Sequence, residues 1–163
     1  MADLFSFATT KDKPVVRGLC IVDASAFVFR AYHALPHMSN VHGVSTNALL
    51  GYFRLLSDII EEYSDYSIVI AMDPKGPTFR KKMYEPYKAN RPPIPSDLAE
   101  QFPYVKPLSL AMGFSVVMHP DYEADDIIAT LNRRARADGM TVKILSADKD
   151  LMQLVDAKTT MYD

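Results

Sequence analysis

The chain has 163 residues, 48% hydrophobic, 23% charged and 10% aromatic, with one cysteine and no tryptophan. A chain of this length buries roughly 70% of the surface its unfolded form exposes, so it can close a core without disulfides, which a lone cysteine cannot form internally. The reading is one domain in a reducing, cytoplasmic compartment. With 18 Lys and Arg against 20 Asp and Glu the net charge is −2, which taken alone argues against a nucleic-acid binder, and no apolar run approaches the ~20 residues that span a bilayer.

The first residues are too few, and Asp3 comes too early, for a secretion signal, so 1–17 reads as a tail and 18–163 as the domain. Leu19–Val22 is a short apolar run ending on Asp23, and Ser67–Met72 is a second ending on Asp73; both read as buried parallel-type strands. Between them Leu49, Leu50, Phe53, Leu56, Ile59, Ile60 and Tyr63 recur at helical spacing, with Ser45 or Thr46 as N-cap. A helix over Ser96–Met112 should be broken and restarted by Pro103 and Pro107, each of which lacks a backbone donor. A strand follows at Phe114–Met118, then a helix over Ala124–Ala137 closed by Gly139. Thr141–Ser146 reads as a strand, Asp148–Leu154 as a short helix and Thr159–Tyr162 as a last strand. Strands alternating with helices predict an α/β domain with a mainly parallel central sheet.

In an open parallel sheet the ligand crevice lies at the carboxyl ends of the strands. Asp23, Asp73, Glu123, Asp125, Asp126, Asp148 and Asp150 all follow strand ends, so seven carboxylates should converge on one edge. Each has an ordinary reading as a turn residue, an N-cap or an acid in a helix's first turn; the coincidence of four acidic elements at one end favours a site. Such a cluster repels itself unless cations neutralise it. Hard ions, Mg²⁺ or Mn²⁺, suit carboxylate oxygen, whereas Cys20, His33, His37, His42 and His119 have no zinc-type spacing. A pair of divalent ions ~3.5–4 Å apart is the arrangement that hydrolyses phosphodiesters.

The charge is also unevenly spread. Lys75–Arg91 carries Lys75, Arg80, Lys81, Lys82, Lys88 and Arg91 against Glu85 alone, a local +5 that leaves the remainder at −7. A Lys/Arg run is often only a solvated face, but Phe79, Tyr84 and Tyr87 are interleaved with these charges. Cations for phosphates beside aromatics for bases are the ingredients of single-strand recognition. Phe27, Phe29 and Tyr32, after the first strand, could stack on a base or pack the core.

Five motifs in order carry a resemblance. Val22–Pro36 (VDASAFVFRAYHALP), Met72–Arg80 (MDPKGPTFR), Tyr87–Pro95 (YKANRPPIP), Glu123–Ile128 (EADDII) and Ser146–Val155 (SADKDLMQLV) resemble the N-terminal 5′-nuclease domain of bacterial DNA polymerase I. That group is related to flap endonucleases and phage 5′-exonucleases, on a PIN-like, Rossmann-like three-layer fold. The resemblance implies a magnesium-dependent nuclease acting on 5′ ends, flaps and nicks of DNA, RNA-primed strands included, in replication and repair. A polymerase domain on the same full-length protein and no membrane partner are implied with it. Asp23, Asp73, Glu123 and Asp125 resemble ligands of a first ion, with Asp126 beside them, and Asp148 and Asp150 resemble ligands of a second. Arg80, Lys88 and Arg91 resemble the basic residues that grip the scissile phosphate and the 5′ strand, with Lys88 and Arg91 stabilising the transition state. Asp23 and Asp73 would thus be catalytic with Lys88 and Arg91, and Lys75, Lys81, Lys82, Tyr84, Tyr87, Phe29 and Tyr32 would add DNA contacts.

The family pattern continues into a helix–hairpin–helix region that holds the duplex and adds aspartates to the second ion, whereas this sequence stops at Asp163. One bound ion and weak cleavage are the expectations for this chain. The competing reading is a non-catalytic DNA-structure-binding domain, with one structural ion and Lys75–Arg91 holding the 5′ strand.

Overall fold

The computed structural model describes residues 16–163; most of the expected 1–17 tail therefore lies outside the described residues. Five strands, β1 (Gly18–Asp23), β2 (Tyr66–Met72), β3 (Ser115–Met118), β4 (Thr141–Leu145) and β5 (Thr159–Tyr162), form one all-parallel sheet in the order β3-β2-β1-β4-β5. The helices are α1 (Ala24–Ala34), α2 (Asn47–Glu62), α3 (Phe79–Met83), α4 (Ser96–Ala99), α5 (Phe102–Ala111) and α6 (Ala124–Ala137), with a 3₁₀ helix at Lys149–Leu154. The chain runs outward from β1 through β2 to β3, then returns to β4 on the other side of β1. The order thus reverses between β1 and β4, the place where parallel sheets open a ligand crevice.

Period-two alternation sorts the strand residues into two cores. Cys20, Val22, Ile70 and Met72 face the core shared with Val28, Tyr52, Leu56, Leu98 and Val105. Ile21, Ala71, Val142 and Ile144 face the one shared with Ile127, Ile128 and Leu151. Helices thus cover both faces, giving the three layers expected. Fully burying each large aliphatic side chain contributes ~1.5–3 kcal/mol. On α2, Gly51 lets α1 approach closely: a Cβ there would lie 2.7 Å from the Ala31 Cβ.

Every predicted strand is present, and so are the helices of α2 and α6. Gly139 ends α6 at φ 80°, with Arg134 and Arg136 in the last turn. Three details differ. The helix over 96–112 is divided, but at Glu100–Gln101 rather than at a proline. Pro103 sits in the first turn of α5, where no donor is required, and Pro107 is accommodated within the helix. The short helix after Asp148 is 3₁₀. Thr46 occupies the N-cap position of α2 without a side-chain cap bond; instead the wholly buried Gln101 accepts the Leu49 N–H at 3.1 Å. Two helices, α1 and α3, were not anticipated. In α1 the pattern Ala24, Phe27, Val28, Ala31 buries one face, and Asp23 caps it by accepting the Ala26 N–H at 3.2 Å.

Candidate metal centre and cationic cleft

Strand ends set the first two carboxylates. Asp23 closes β1 and is 6% exposed. Its Oδ1 accepts the Ala26 N–H, and its Oδ2 accepts the Ser146 hydroxyl at 2.8 Å. Asp73, just beyond β2, accepts the Ala124 N–H at 2.8 Å on Oδ1 and the Ser25 hydroxyl at 2.8 Å on Oδ2. Asp73 therefore ties the end of β2 to the first residues of α1 and α6. A carboxylate has about four lone-pair sites, so each aspartate keeps acceptor capacity after these bonds.

Asp125, on the first turn of α6, and Asp148, N-cap of the 3₁₀ helix, complete the group. Burial, followed by the charges of Asp148, Asp23 and Asp73, pushes the Asp125 carboxyl up to about 6. The Asp23 carboxyl is also raised, chiefly by burial and further by Asp73 and Asp148, against the hydrogen bonds from Ser146 and Ala26. These four aspartates interact as charges, and the donors are all oxygen, which suits Mg²⁺ or Mn²⁺. Among the described residues no three acidic, histidine or cysteine side chains are already gathered closely enough to hold an ion.

The other predicted ligands are placed differently. Glu123, 8% exposed, caps α6 and accepts from the Tyr87 hydroxyl and the Lys88 ammonium, both at 3.0 Å on Oε2. Asp126, expected beside the metal ligands, is paired here with a cation: Arg80 grips it in a bidentate pair at 2.5 and 2.7 Å. That hydrogen bonding holds its carboxyl below the usual range despite partial burial. Asp150 is exposed and gives its backbone N–H to Asp148 at 2.9 Å.

The cationic segment is clasped to residues 121–126. Besides Arg80 on Asp126, Lys82 pairs with Asp121 at 2.6 Å and the Phe79 and Tyr122 rings meet at 5.4 Å. Lys81 donates to the Glu85 carbonyl. Much of the local +5 is thus met inside the protein, and Arg80 and Lys82 are engaged by carboxylates where DNA contact was expected. Lys88 alone among the described non-glycine residues has positive φ, 56°, a conformation that costs of order 1–3 kcal/mol and clusters at functional sites. Burial lowers the Lys88 pKa, but hydrogen bonds to Glu123 and Tyr87 outweigh it and leave the ammonium above its ordinary value.

Between this segment, α1 and α5 lies a cleft of about 1030 Å³, lined by Phe29, Asp73, Lys75, Lys88, Arg91 and Glu123 among others. Lys75 and Arg91 are exposed there. Phe29 reaches the cleft while its ring meets Phe102 at 5.7 Å, so both of its anticipated roles remain open to it. Tyr32 lies outside this lining and donates its hydroxyl to Asp97 at 3.0 Å. Tyr84 is 63% exposed, and Tyr87 points its hydroxyl at Glu123. Two contributors went unremarked in the sequence, Ser25 and Ser146. Their adjacency to Asp23 and Asp148 inside the matching motifs was the available signal.

The family described as "5′-3′ exonuclease, N-terminal resolvase-like domain" matches residues 18–163. DNA polymerase I of Bacillus subtilis (strain 168) is 41% identical over 143 residues, covering 88% of this chain and 16% of that protein. The 5′-3′ exonuclease of Aquifex aeolicus (strain VF5) is 40% identical over 140 residues, covering 86% of this chain and 48% of that protein. The chain thus spans about a sixth and about a half of these two relatives. Among solved structures, the bacteriophage T5 flap endonuclease in a pseudo-enzyme–product complex with DNA and metal ions superposes with a TM-score of 0.64 at 20% identity, covering 90% of this chain and 54% of that one. This likeness shows the PIN-like fold. From the match over 18–163 and the 40% identities, the chain belongs to the family of 5′-3′ exonuclease N-terminal, resolvase-like domains.

Proposed function

We propose that the chain carries the metal-binding and 5′-strand-gripping part of a divalent-metal-dependent 5′ nuclease that hydrolyses phosphodiesters at 5′ ends, flaps and nicks, RNA-primed strands included. The observation that carries this reading is the exposure of the Asp125 and Asp23 carboxyls to the charges of Asp73 and Asp148 beside a cleft that presents Lys75, Lys88 and Arg91. These four aspartates would hold Mg²⁺ or Mn²⁺, with Glu123 and Asp150 at the margin. Divalent ions held there would supply an activated water and neutralise charge on the phosphate.

The chain's own residues then position the substrate. Lys88 and Arg91 present cations to the scissile phosphate, the role such groups take where charge develops on phosphoryl oxygens. Lys75 adds a contact to the 5′ strand, and Phe29, beside Ile94 and Phe102 in the cleft wall, offers an apolar surface to a base. Arg80 and Asp126 keep the segment attached to α6. Further acids for a second ion, duplex-holding elements and a polymerase region belong to this proposal as parts of a longer protein, in keeping with the 16% and 48% of its relatives that the chain spans. A cytoplasmic place belongs to it as well; no helix among the described residues is long and apolar enough to cross a membrane.

The open spacing of the carboxylates favours one alternative, a DNA-structure-binding domain without turnover. A 5′-flap cleavage assay in Mg²⁺ and in Mn²⁺, with Asp73→Ala as control, decides between them. Metal-dependent cleavage lost in Asp73→Ala supports the nuclease. Retained flap binding in EDTA with no turnover in either metal supports the binding domain.

A further inference from the structure

Ser146 lies one residue past β4, is wholly buried, and stands where the strand order reverses. Val22 pairs with Leu145 in the β1–β4 ladder, so the next residues along, Asp23 and Ser146, come side by side at the strand ends. A hydroxyl has one proton to donate and two lone pairs to accept with, and Ser146 uses both capacities. It gives its proton to Asp23 Oδ2 at 2.8 Å and accepts the Asp148 N–H at 3.1 Å. Its backbone N–H donates to the Tyr162 carbonyl at 3.1 Å. One side chain therefore aims the carboxylate of β1 and anchors the backbone of the loop that carries Asp148.

The two hydrogen bonds have a directional consequence. With Ser146 on Oδ2 and Ala26 on Oδ1, the Asp23 carboxylate is held from both oxygens, so its remaining lone pairs point in a fixed direction. Without the hydroxyl, Asp23 would keep only the Ala26 contact and the Asp148 N–H would lose its acceptor. Ser25 is a weaker counterpart, because its hydroxyl serves Asp73 alone, whereas Ser146 also accepts the Asp148 N–H and so couples two of the acidic elements.

We propose that Ser146 is a positioning residue for divalent-ion binding, holding Asp23 and the Asp148 loop in one arrangement through a single hydroxyl. This rests on the metal reading above. Partners that orient a ligand in this way typically change metal affinity by about 10–100-fold when removed. The test is Mn²⁺ binding to the full chain by calorimetry, for wild type, Ser146→Ala, Ser146→Thr and Ser25→Ala, with thermal unfolding of each in EDTA. Ser146→Ala is expected to bind Mn²⁺ roughly tenfold or more weakly. Ser146→Thr, which keeps the hydroxyl, should stay within about threefold of wild type, and Ser25→Ala should lose less than Ser146→Ala. Should Ser146→Ala not fold, Ser146→Cys, nearly equal in volume but a weak donor, should show the same loss. Equal Mn²⁺ affinity in wild type and the hydroxyl-less variant, or equal losses in Ala and Thr, would overturn the inference alone. A wild-type chain that takes up no Mn²⁺ would overturn the metal reading and this inference together.

Discussion

Replacing Asp125 by asparagine should stabilise the metal-free protein. The folded state pushes the Asp125 carboxyl up to about 6, by burial and by the charges of Asp148, Asp23 and Asp73. An unfolded aspartate titrates near 3.9. Between those two values the folded state binds more protons than the unfolded state, so this group's contribution to stability falls as pH rises through that window and is level above it. A shift of about two units corresponds to about 3 kcal/mol at 1.36 kcal/mol per unit. Because the side chain is only half-buried, solvent screening reduces this to about 1–2 kcal/mol. Asparagine carries no charge and escapes the penalty. Urea unfolding in EDTA, followed by circular dichroism, should show Asp125→Asn more stable than wild type by about 1–2 kcal/mol at pH 7.5. At pH 4, where wild type is largely protonated, the gain should shrink to a few tenths of that unit. Saturating Mg²⁺ should reverse the order, because an ion that binds only the folded wild type stabilises it by mass action. A variant less stable than wild type at pH 7.5 in EDTA, or one with an equal gain at both pH values, would refute the reasoning.

Two further outcomes are expected. Arg80→Ala leaves Asp126 without its bidentate partner and frees the segment from α6; the chain should lose about 1–3 kcal/mol, and limited proteolysis should shift toward residues 79–91. Unchanged protease sensitivity there would mean the clasp is held by other contacts. The Cys20 thiol is wholly buried and pushed up to about 12, mainly by burial. It should resist a thiol reagent at pH 8 in the native protein and react at once in urea, and rapid native labelling would contradict the packing of β1.

The strands and main helices were legible because their signals are local. The apolar runs at Leu19–Val22 and Ser67–Met72 each end on an acid, and α2 repeats its apolar residues at one helical period. Parallel strands then place the acids at one edge whatever the strand order, so the carboxylate group could be anticipated. α1 is harder to read locally, because Phe27, Phe29 and Tyr32 fit stacking or packing as well as a helical face, and its buried set Ala24, Phe27, Val28 and Ala31 becomes distinct only against the folded core. The capping of α2 by Gln101 was out of reach, because the acceptor comes from 52 positions away.

Partnership is where local pattern stops. Residue types and spacing were enough to mark Asp23, Asp73, Asp125 and Asp148 as acids at strand ends and Lys75–Arg91 as a cationic segment. Which of them face one another depends on strand order, and apolar periodicity carries no information about order. Asp23 and Ser146 are 123 positions apart and meet because β4 returns beside β1. Likewise α6 starts where Arg80, Lys82 and Lys88 can reach Asp126, Asp121 and Glu123, so charges that read as a free patch are largely engaged at home. Long-range hydrogen bonds and ion pairs form only once the strands have assembled, and it is the assembled sheet that gives Asp126 to Arg80, Asp121 to Lys82 and Asp23 to Ser146.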